Sequence, residues 1–315
     1  MKTKQSTIAL GTWSWGAGFA GGDQVFGNHL GADELAPVFD AALRAGLNVW
    51  DTATVYGMGS SEEILGQFVS GVERDKLVIS TKFTPQIADM YDNDVEKMAD
   101  ASMERLGVNR IDIYWIHNPM DVERWTKGLI PLLRSGKVGR VGLSNHNLAQ
   151  IQRAQAILEA EGFGVVAVQN HYSILYRSSE YGGILEYCQQ QNIEFWAYMV
   201  LEQGALSGKY TPQHPMPANS ARGARYNPLL PQLEILTKAM GEIGVRYQAS
   251  PAQIAIAWAL AKGTMPIIGA TSVQQVEEAA HAATIQLTAA EMEQLEQTAR
   301  SLDIDTRGEW EQAMD

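Results

Sequence analysis

Four side chains suited to acid–base chemistry occur in the first half of this sequence: Asp51, Tyr56, Lys82 and His117. The phenol of a tyrosine, with a pKa of about 10, is a weak acid at neutral pH. A neighbouring ammonium such as that of Lys82 favours the phenolate and lowers the tyrosine pKa. Asp51 could keep Lys82 charged and in place, while His117 orients a substrate carbonyl and shares in proton delivery. Together these residue types indicate a site for the reduction of a carbonyl group.

Eight short apolar segments, alternating with helical segments, would position these side chains. In most of these segments apolar residues do not alternate with polar ones, as expected of parallel strands that are buried on both faces. Several helix starts carry a capping residue followed three positions later by Glu or Gln. The predicted strands are residues 6–13, 47–53, 77–82, 111–117, 138–145, 165–170, 193–200 and 265–271. The predicted capping boxes pair Ser60 with Glu63, Ser250 with Gln253, Ser272 with Gln275, and Thr288 with Glu291.

The chain after the seventh predicted strand departs from this regular alternation. Residues 202–231 form an irregular stretch, rich in glycine and proline, that exceeds usual loop lengths and is typical of a lid or binding segment. Two helical segments then precede the last strand. After that strand's own helix we expect a capped helix from Thr288 and a polar tail to Asp315.

Eight strand–helix units in succession indicate either a closed barrel or a doubly wound sheet. A doubly wound nucleotide-binding sheet requires a glycine-rich turn that opens directly into its first helix. Gly16, Gly18 and Gly21 match that spacing, but the loop continues well beyond them before the first helix signal. We therefore predict an α/β fold, a (β/α)8 TIM barrel, as a single domain over residues 1–315 with a long loop after strand 7 and a C-terminal helix and tail.

In such barrels the active site lies where strands end and the following loops begin. Polar or aromatic residues occupy nearly every predicted strand end, although a purely structural barrel has no need of charges at a desolvated mouth. In chain order these residues are Thr12-Trp13, Asp51, Lys82, His117, Ser144-Asn145, Gln169-Asn170, Tyr198, and Gly269 to Thr271.

Composition excludes several other classes of protein. The formal net charge of −12 disfavours a nucleic-acid partner, and the single cysteine, Cys188, allows no intrachain disulfide framework. No apolar run approaches the length of a membrane span, and no signal-peptide core follows the charged N-terminus. The histidines share no metal-ligand spacing, so we predict no metal. We expect a cytoplasmic protein that acts on a small molecule, without a membrane or nucleic-acid partner.

Several motifs in combination resemble the aldo-keto reductase superfamily, and the similarity runs from about residue 6 to about residue 300. Within the superfamily the chain looks more like the bacterial and potassium-channel-β-subunit-like branch. The motifs are Gly11-Thr12-Trp13, Asp51-Thr52-Ala53-x-x-Tyr56-Gly57, Ser80-Thr81-Lys82, Ile116-His117-Asn118-Pro119, Gly142-Leu143-Ser144-Asn145 and the run from Gln203 to Tyr210.

The resemblance implies an NADP-dependent oxidoreductase that reduces an aldehyde or ketone to an alcohol. It implies a catalytic tetrad of Asp51, Tyr56, Lys82 and His117, with Tyr56 as the proton donor. It also implies a cofactor site at the strand ends and on the loops after strands 7 and 8. Its nicotinamide half would be held by Thr12, Trp13, Asp51, Ser144, Asn145, Gln169 and the stacking residue Tyr198. Leu201 to Gly204 with Lys209 and Arg222 would wrap the pyrophosphate, and Gly269, Thr271, Gln275 and Glu278 would hold the adenosine.

Two departures from the superfamily pattern affect the choice of cofactor. Met199-Val200 stands where Ser-Pro is usual after the stacking aromatic. Many relatives carry Lys or Arg within 269–275 to bind the 2′-phosphate, and Asn where Ala279 stands; this chain has neither. Lys209 and Arg222 remain as phosphate partners, so the resemblance still predicts NADP(H) as the cofactor, and NAD(H) stays open.

Two other functions are compatible with the residues alone. Lys82 could form a Schiff base in an aldolase or lyase barrel, although Asp51 would oppose the lowered lysine pKa that this chemistry needs. Alternatively, the protein could be a nucleotide-sensing regulatory subunit with slow turnover. The substrate, the oligomeric state and the physiological direction do not follow from the sequence.

Overall fold

The computed structural model of this protein describes residues 5–92 and 94–314. Residues 1–4 and Asp315, which belong to the predicted domain, lie outside the described residues. Within the described part, eight parallel strands close into a barrel in which each strand pairs with the next and β8 pairs with β1. The strands are β1 Ala9–Gly11, β2 Val49–Asp51, β3 Val78–Phe83, β4 Ile111–Ile116, β5 Val138–Ser144, β6 Val165–His171, β7 Glu194–Tyr198 and β8 Met265–Gly269. The predicted (β/α)8 barrel is confirmed.

Helices cover the outside of the barrel between successive strands. They are α1 Gly22–Phe26, α2 Ala32–Arg44, α3 Ser60–Val69, α4 Val95–Leu106, α5 Val122–Ser135, α6 Leu148–Glu159, α7 Ser178–Tyr181, α8 Ile184–Gln191, α9 Ala221–Tyr226, α10 Leu230–Tyr247, α11 Pro251–Ala261, α12 Val273–Ala282 and α13 Ala289–Leu302. Short 3₁₀ segments lie at Tyr56–Gly59, Arg74–Lys76, Pro85–Tyr91, Glu202–Ser207 and Asn227–Leu229. Among the described residues, no helix is both long and apolar enough to cross a membrane.

The inside of the barrel is a small apolar core of its own. Its buried members are Ala9, Val49, Ile113, Trp115, Ala167 and Trp196. The rings of Trp115 and Trp196 lie 5.2 Å apart, so the interior of the barrel is packed with side chains. Since successive strand residues point to opposite faces, residues two positions beyond these core members also point inward, at the mouth.

Two of the four predicted capping boxes form completely in the structure. Complete capping boxes form at the starts of α11 and α13. At α12 only half of the box forms, because the Gln275 side chain bonds to Thr271 instead of the cap residue. The box at Ser60 is wrong: α3 begins at Ser60 itself, and that hydroxyl donates to the carbonyl oxygen of Ala17, 3.0 Å away.

The predicted irregular stretch after β7 is irregular over residues 208–220 and helical on both sides of that segment. It contains α9 and the 3₁₀ segments Glu202–Ser207 and Asn227–Leu229, and it forms the expected long connection before α10 and α11. The C-terminal tail also differs from its prediction as a polar extension. Met314 is 1% exposed, and its carbonyl oxygen packs against Gly182, so the tail folds back onto the barrel.

We predict that Gly142→Ala destabilises the fold. A Cβ at this position of β5 would lie 2.3 Å from the Trp115 ring and 2.9 Å from the carbonyl oxygen of Ala167. Since the buried ring has little room to move, the free energy of unfolding should fall by about 1–3 kcal/mol in urea denaturation. The control is Gly71→Ala, whose added Cβ meets its nearest neighbour, the carbonyl oxygen of Phe68, at 3.5 Å. An equal loss in both variants would contradict the proposed clash.

Candidate active site

A buried ion pair lies at the centre of the barrel mouth. Asp51 ends β2, and Lys82 lies in the neighbouring strand β3, two positions beyond the residue paired with Asp51. Lys82 Nζ is 2.5 Å from Asp51 Oδ2, and the two side chains are 0% and 3% exposed. Lys82 Nζ also donates to the carbonyl oxygen of Thr52 at 2.8 Å. The structure thus brings together the first two members of the predicted catalytic group.

Tyr56 reaches the same ammonium from the loop that follows β2. A 3₁₀ turn begins at Tyr56, and its hydroxyl oxygen lies 3.5 Å from Lys82 Nζ. The Trp13 ring stacks on the Tyr56 ring at a centroid distance of 5.9 Å. The hydroxyl is therefore held between an ammonium and an aromatic wall, at the surface of the mouth.

The pKa of Tyr56 is raised above its ordinary value, which corrects the direction expected from the sequence. Burial raises the pKa most; the Lys82 charge and hydrogen bond lower it, and Asp51 raises it again. Lys82 acts in the predicted direction, but burial outweighs it. Burial lowers the pKa of Lys82, but the charges and hydrogen bonds of Asp51 and Tyr56 together outweigh this effect, so the Lys82 pKa is also raised. Lys82 is therefore an ammonium and Tyr56 a neutral phenol at neutral pH.

His117 completes the group from the end of β4. Its ring lies 5.9 Å from the Tyr56 ring, nearly perpendicular to it, and its Nδ1 is 3.1 Å from Thr84 Oγ1. Burial, followed by repulsion from Lys82, lowers the pKa of His117 well below its ordinary value. The imidazole is therefore neutral at physiological pH and suited to hydrogen bonding rather than to carrying charge.

The second oxygen of Asp51 connects the ion pair to the barrel core. Asp51 Oδ1 accepts hydrogen bonds from Ser80 Oγ at 2.7 Å and from Gln169 Nε2 at 3.1 Å. Ser80 Oγ in turn accepts from the indole nitrogen of Trp115. Hydrogen bonds from Ser80, Lys82 and Gln169 therefore hold the carboxylate and fix its orientation.

The residues after β5 and β7 form a second polar group beside the first. Asn145 adopts a left-handed conformation with φ 62°, and its Nδ2 donates to the carbonyl oxygen of His117 at 2.9 Å. Its Nδ2 lies 3.3 Å from Ser144 Oγ, and its Oδ1 accepts from the Tyr198 hydroxyl at 2.5 Å. The structure thus places these predicted cofactor residues next to His117.

Thr12 and Trp13 border this region from the end of β1. The Thr12 hydroxyl is 2.8 Å from Ser61 Oγ and 3.4 Å from the carbonyl oxygen of Asp51. Because its hydroxyl is occupied by these internal contacts, Thr12 supports the loop, whereas the partly buried ring of Trp13 faces the mouth through its stacking on Tyr56.

The chain turns sharply where it leaves β7. Met199, Glu202 and Gln203 have positive φ values of 59°, 47° and 53°, in a region that side-chain-bearing residues seldom adopt. Gly204 follows with φ 99°, and its N–H donates to the carbonyl oxygen of Leu201 at 2.8 Å. Strained backbone of this kind concentrates at binding and catalytic sites, where the surrounding structure maintains it.

Two cations lie beside this turn. Arg222 donates from Nη1 to the carbonyl oxygen of Gln203 and from Nη2 to the Tyr210 hydroxyl, each at 3.1 Å. Its Nε is buried without a hydrogen-bond partner, which is an unfavourable state that an anion would relieve. Lys209 is exposed, with Nζ 5.6 Å from the Tyr210 ring centroid. The two predicted phosphate-binding side chains therefore share one surface.

The last group of predicted cofactor residues lies between β8 and α12. Gly269 is exposed, and a Cβ there would lie 3.8 Å from Ser14 Oγ, which is itself buried without a partner. Gln275 accepts hydrogen bonds from the backbone and hydroxyl of Thr271, and Glu278 bonds to Gln274 one turn into α12. No Lys or Arg occurs between 265 and 282. These side chains line a helix start that carries no basic group.

Residues 7–300 match the model of the aldo/keto reductase family. The chain belongs to this family. An uncharacterized oxidoreductase of Mycobacterium tuberculosis is 34% identical over 306 residues, covering 94% of this chain and 90% of that protein. The chloroplastic pyridoxal reductase of Arabidopsis thaliana is 30% identical over 310 residues, covering 94% of this chain and 83% of that protein. The resemblance inferred from the motifs is confirmed, and membership makes the protein an oxidoreductase.

Solved structures of family members share its fold. An aldo-keto reductase from Klebsiella pneumoniae, in complex with NADPH, has a TM-score of 0.71 and 27% identity, covering 93% of this chain and 90% of that chain. A glycerol dehydrogenase from Gluconobacter oxydans has a TM-score of 0.79 at 24% identity, covering 97% of this chain and 95% of that chain, a likeness of fold alone.

In residues 5–92 and 94–314, no group of three or more His, Cys, Asp or Glu side chains could hold a metal ion.

In this aldo/keto reductase the C-terminal tail also borders the site. The Trp310 ring packs edge-on against Trp13 at 5.7 Å, and its Nε1 lies 3.4 Å from the Tyr198 hydroxyl. Gln312 donates to the carbonyl oxygen of Asn145 at 3.2 Å. The tail therefore contacts both the aromatic wall and the polar group after β5.

A buried histidine fastens this tail to the barrel. His171 Nδ1 is 3.0 Å from Glu311 of the tail, and His171 Nε2 is 2.9 Å from Glu202 of the turn after β7; all three side chains are 0% exposed. Thr306, also in the tail, donates to Glu202 at 3.0 Å. One pattern in the sequence does indicate His171: it continues the alternation of inward-facing residues in β6, after Ala167 and Gln169. No comparable pattern in the sequence marks Glu311.

The pKa of His171 is raised to about 9, because the charges and hydrogen bonds of the two carboxylates outweigh the lowering by burial. Although burial raises it, the pKa of Glu202 is lowered, mainly by His171. His171 is therefore an imidazolium at neutral pH. Because its folded pKa lies above its ordinary value of 6.5, its contribution to stability is complete below pH 6.5 and is lost as the pH rises through about 9.

We predict that Glu311→Gln reduces this pH dependence. Between pH 6.5 and 9.5 the wild type should lose about 3 kcal/mol of unfolding free energy through His171. The variant should lose less, since one of the two carboxylates that raise the His171 pKa is gone. Urea denaturation at both pH values provides the measurement. Glu309→Gln, an exposed position in the same tail, is the matched control and should behave as wild type. Equal losses in wild type and Glu311→Gln would refute the role given to Glu311.

Proposed function

We propose that this oxidoreductase uses NADPH to reduce an aldehyde or ketone to the alcohol, with Tyr56 as the proton donor. One observation carries the proposal: Lys82 Nζ lies 2.5 Å from Asp51 and 3.5 Å from the Tyr56 hydroxyl, and the His117 ring lies 5.9 Å from the Tyr56 ring. This arrangement stabilises a phenolate at the position where a proton leaves. NADPH, when bound, supplies the hydride that adds to the carbonyl carbon.

Each residue has a separate task in this proposal. Since the pKa of Tyr56 is raised, its hydroxyl is fully protonated at neutral pH and can donate its proton to the developing alkoxide. The Lys82 ammonium stabilises the phenolate that remains, and Asp51 keeps that ammonium in place. A neutral His117 hydrogen-bonds the carbonyl oxygen and orients it towards Tyr56.

The site also fits a dinucleotide. Ser144, Asn145 and Gln169 converge beside His117 and suit the carboxamide of a nicotinamide, and Tyr198 suits its ring. The unpartnered Nε of Arg222 and the exposed Lys209 support a pyrophosphate at the turn that follows Leu201. The start of α12, with Gly269, Thr271 and Gln275, suits the phosphate of the adenosine half, because a helix N-terminus favours an anionic group.

The Schiff-base alternative receives no support from the ion pair. A nucleophilic lysine must be neutral, whereas the attraction of Asp51 raises the pKa of Lys82 despite burial. An amine that remains protonated at neutral pH attacks carbonyls slowly. Carbonyl reduction, in which Lys82 acts as a cation, uses the same geometry without this conflict.

We predict that Tyr56→Phe retains cofactor binding and loses most turnover. Removal of the hydroxyl takes away the proton donor and leaves the ring that stacks on Trp13, so kcat should fall by about 10²–10⁴-fold. The measurement is steady-state reduction of an aldehyde, together with fluorescence titration of NADPH. Tyr181→Phe, at an exposed tyrosine of α7, is the control. Unchanged turnover in Tyr56→Phe would remove Tyr56 from the role of acid.

We predict that Lys209→Ala weakens NADPH and NADH by the same factor, about tenfold, since a charge-assisted contact with the shared pyrophosphate is lost. Both affinities are measured by quenching of the eight tryptophans. Lys238→Ala, on α10, is the matched control.

In the wild type we expect NADPH to bind more tightly than NADH. A loss confined to NADPH in the variant would instead place Lys209 at the 2′-phosphate. No binding of either dinucleotide would overturn the proposed function.

A further inference from the structure

The turn after β7 holds two large side chains in a backbone conformation that favours glycine. Glu202 and Gln203 have φ values of 47° and 53°, in the left-handed region. Residues with a side chain adopt this region at a cost in free energy, and they remain there only where surrounding contacts hold them. The contacts of Glu202 and Gln203 therefore decide the conformation of this turn.

The Glu202 carboxylate is anchored from several separate parts of the chain. Its side chain is 0% exposed. It accepts four hydrogen bonds: from His171 of β6 at 2.9 Å, Ser173 after β6 at 2.5 Å, Tyr226 of α9 at 2.7 Å and Thr306 of the tail at 3.0 Å. A buried carboxylate with this many donors has one favourable position, so its side chain fixes the backbone that carries it.

His171 links this carboxylate to the residue proposed to stack on the nicotinamide. The His171 ring stacks with the Tyr198 ring at a centroid distance of 5.6 Å and with the Tyr176 ring at 4.2 Å. Its Nε2 lies 2.9 Å from Glu202, in the turn proposed to meet the pyrophosphate. The two proposed cofactor contacts, Tyr198 and the turn, therefore share one buried support.

The tail supplies two groups of this support from the far end of the chain. Thr306 bonds to Glu202 directly, and Glu311 lies 3.0 Å from His171 Nδ1. Residues 303–314 form no helix or strand. A terminal segment of this kind is ordered only by the contacts that tie it down. The docked position of the tail and the shape of the turn consequently depend on the same cluster of side chains.

We propose that His171, Glu202 and Glu311 are positioning residues for the dinucleotide: they hold the turn after β7 and Tyr198 in the binding conformation, so that cofactor affinity depends on a docked tail. This inference rests on the proposed cofactor site and adds residues that act through their neighbours. Because a docked tail favours binding, a bound dinucleotide favours the docked tail by the same factor.

The first test removes the tail's contacts one at a time. Glu311→Gln should weaken NADPH and NADH alike, by at least about fivefold, in calorimetric titrations. Thr306→Val keeps the shape of the side chain, removes its hydrogen bond to Glu202, and should weaken both dinucleotides in the same direction. Glu309→Gln, at an exposed position of the tail, is the control and should bind as wild type. Unchanged affinities in Glu311→Gln and Thr306→Val would overturn the inference.

Hydrogen exchange of the cofactor-free protein tests the positioning directly. Within the turn, the N–H of Glu202 donates to the carbonyl oxygen of Met199, and those of Gly204 and Leu206 donate to Leu201. In Glu311→Gln these three amides should exchange at least about fivefold faster than in wild type, because the turn opens locally more often. The amides of α4 are the internal reference and should exchange at the wild-type rate.

Two exchange results would contradict the inference: wild-type rates at the turn in Glu311→Gln, or an equal acceleration at the turn and in α4, which indicates general destabilisation. Absence of binding of NADPH and NADH to the wild type would count against the proposed function. The exchange rates would then still decide whether the tail holds the turn.

Discussion

The arrangement of the mouth depends on one buried ion pair, that of Lys82 and Asp51. Removal of two charges from water is expensive, and the loss of one partner typically costs about 3–5 kcal/mol because the other charge stays buried. Both side chains are almost fully enclosed, so each remaining hydrogen-bonding position must be filled by the protein. Ser80, Gln169 and the carbonyl oxygen of Thr52 fill them. The charges therefore determine what β2, β3 and β6 carry at their ends.

The same pair shapes the chemistry of its neighbours. Burial raises the pKa of Tyr56 and lowers that of His117, so both groups stay neutral beside a permanent cation. A neutral phenol that adjoins an ammonium can give up a proton and have the resulting charge stabilised at once. Trp115 and Trp196 pack against each other in the barrel interior, whereas Tyr56 is partly exposed at the mouth.

A second buried charge, that of His171, attaches the C-terminal tail to this centre. The tail comes from the far end of the chain, and Glu311 and Thr306 bond into a cluster that includes Glu202 after β7. The turn predicted to meet the pyrophosphate and the tail that carries Trp310 thus share one buried network. His171 therefore joins the turn after β7 to the C-terminal tail through buried contacts with Glu202 and Glu311.

The order of the strands, the barrel and the grouping of Asp51, Tyr56, Lys82 and His117 at its mouth could be predicted from the sequence, because apolar runs and polar strand ends are local patterns. Their alternation also explains why Asp51, Lys82, His117, Gln169 and Tyr198 all face inward. Strand lengths were less predictable: β1 spans Ala9–Gly11 where 6–13 was expected, since pairing extends only as far as the neighbouring strands allow.

The sequence by itself therefore determined the family, the closed barrel and the kinds of side chain at its mouth. Only the tertiary structure decided the net direction of the Tyr56 pKa, the place of the tail and the role of His171. The physical reason is that burial and charge pairing arise between residues far apart in the chain, such as His171 and Glu311, and no local pattern records such contacts.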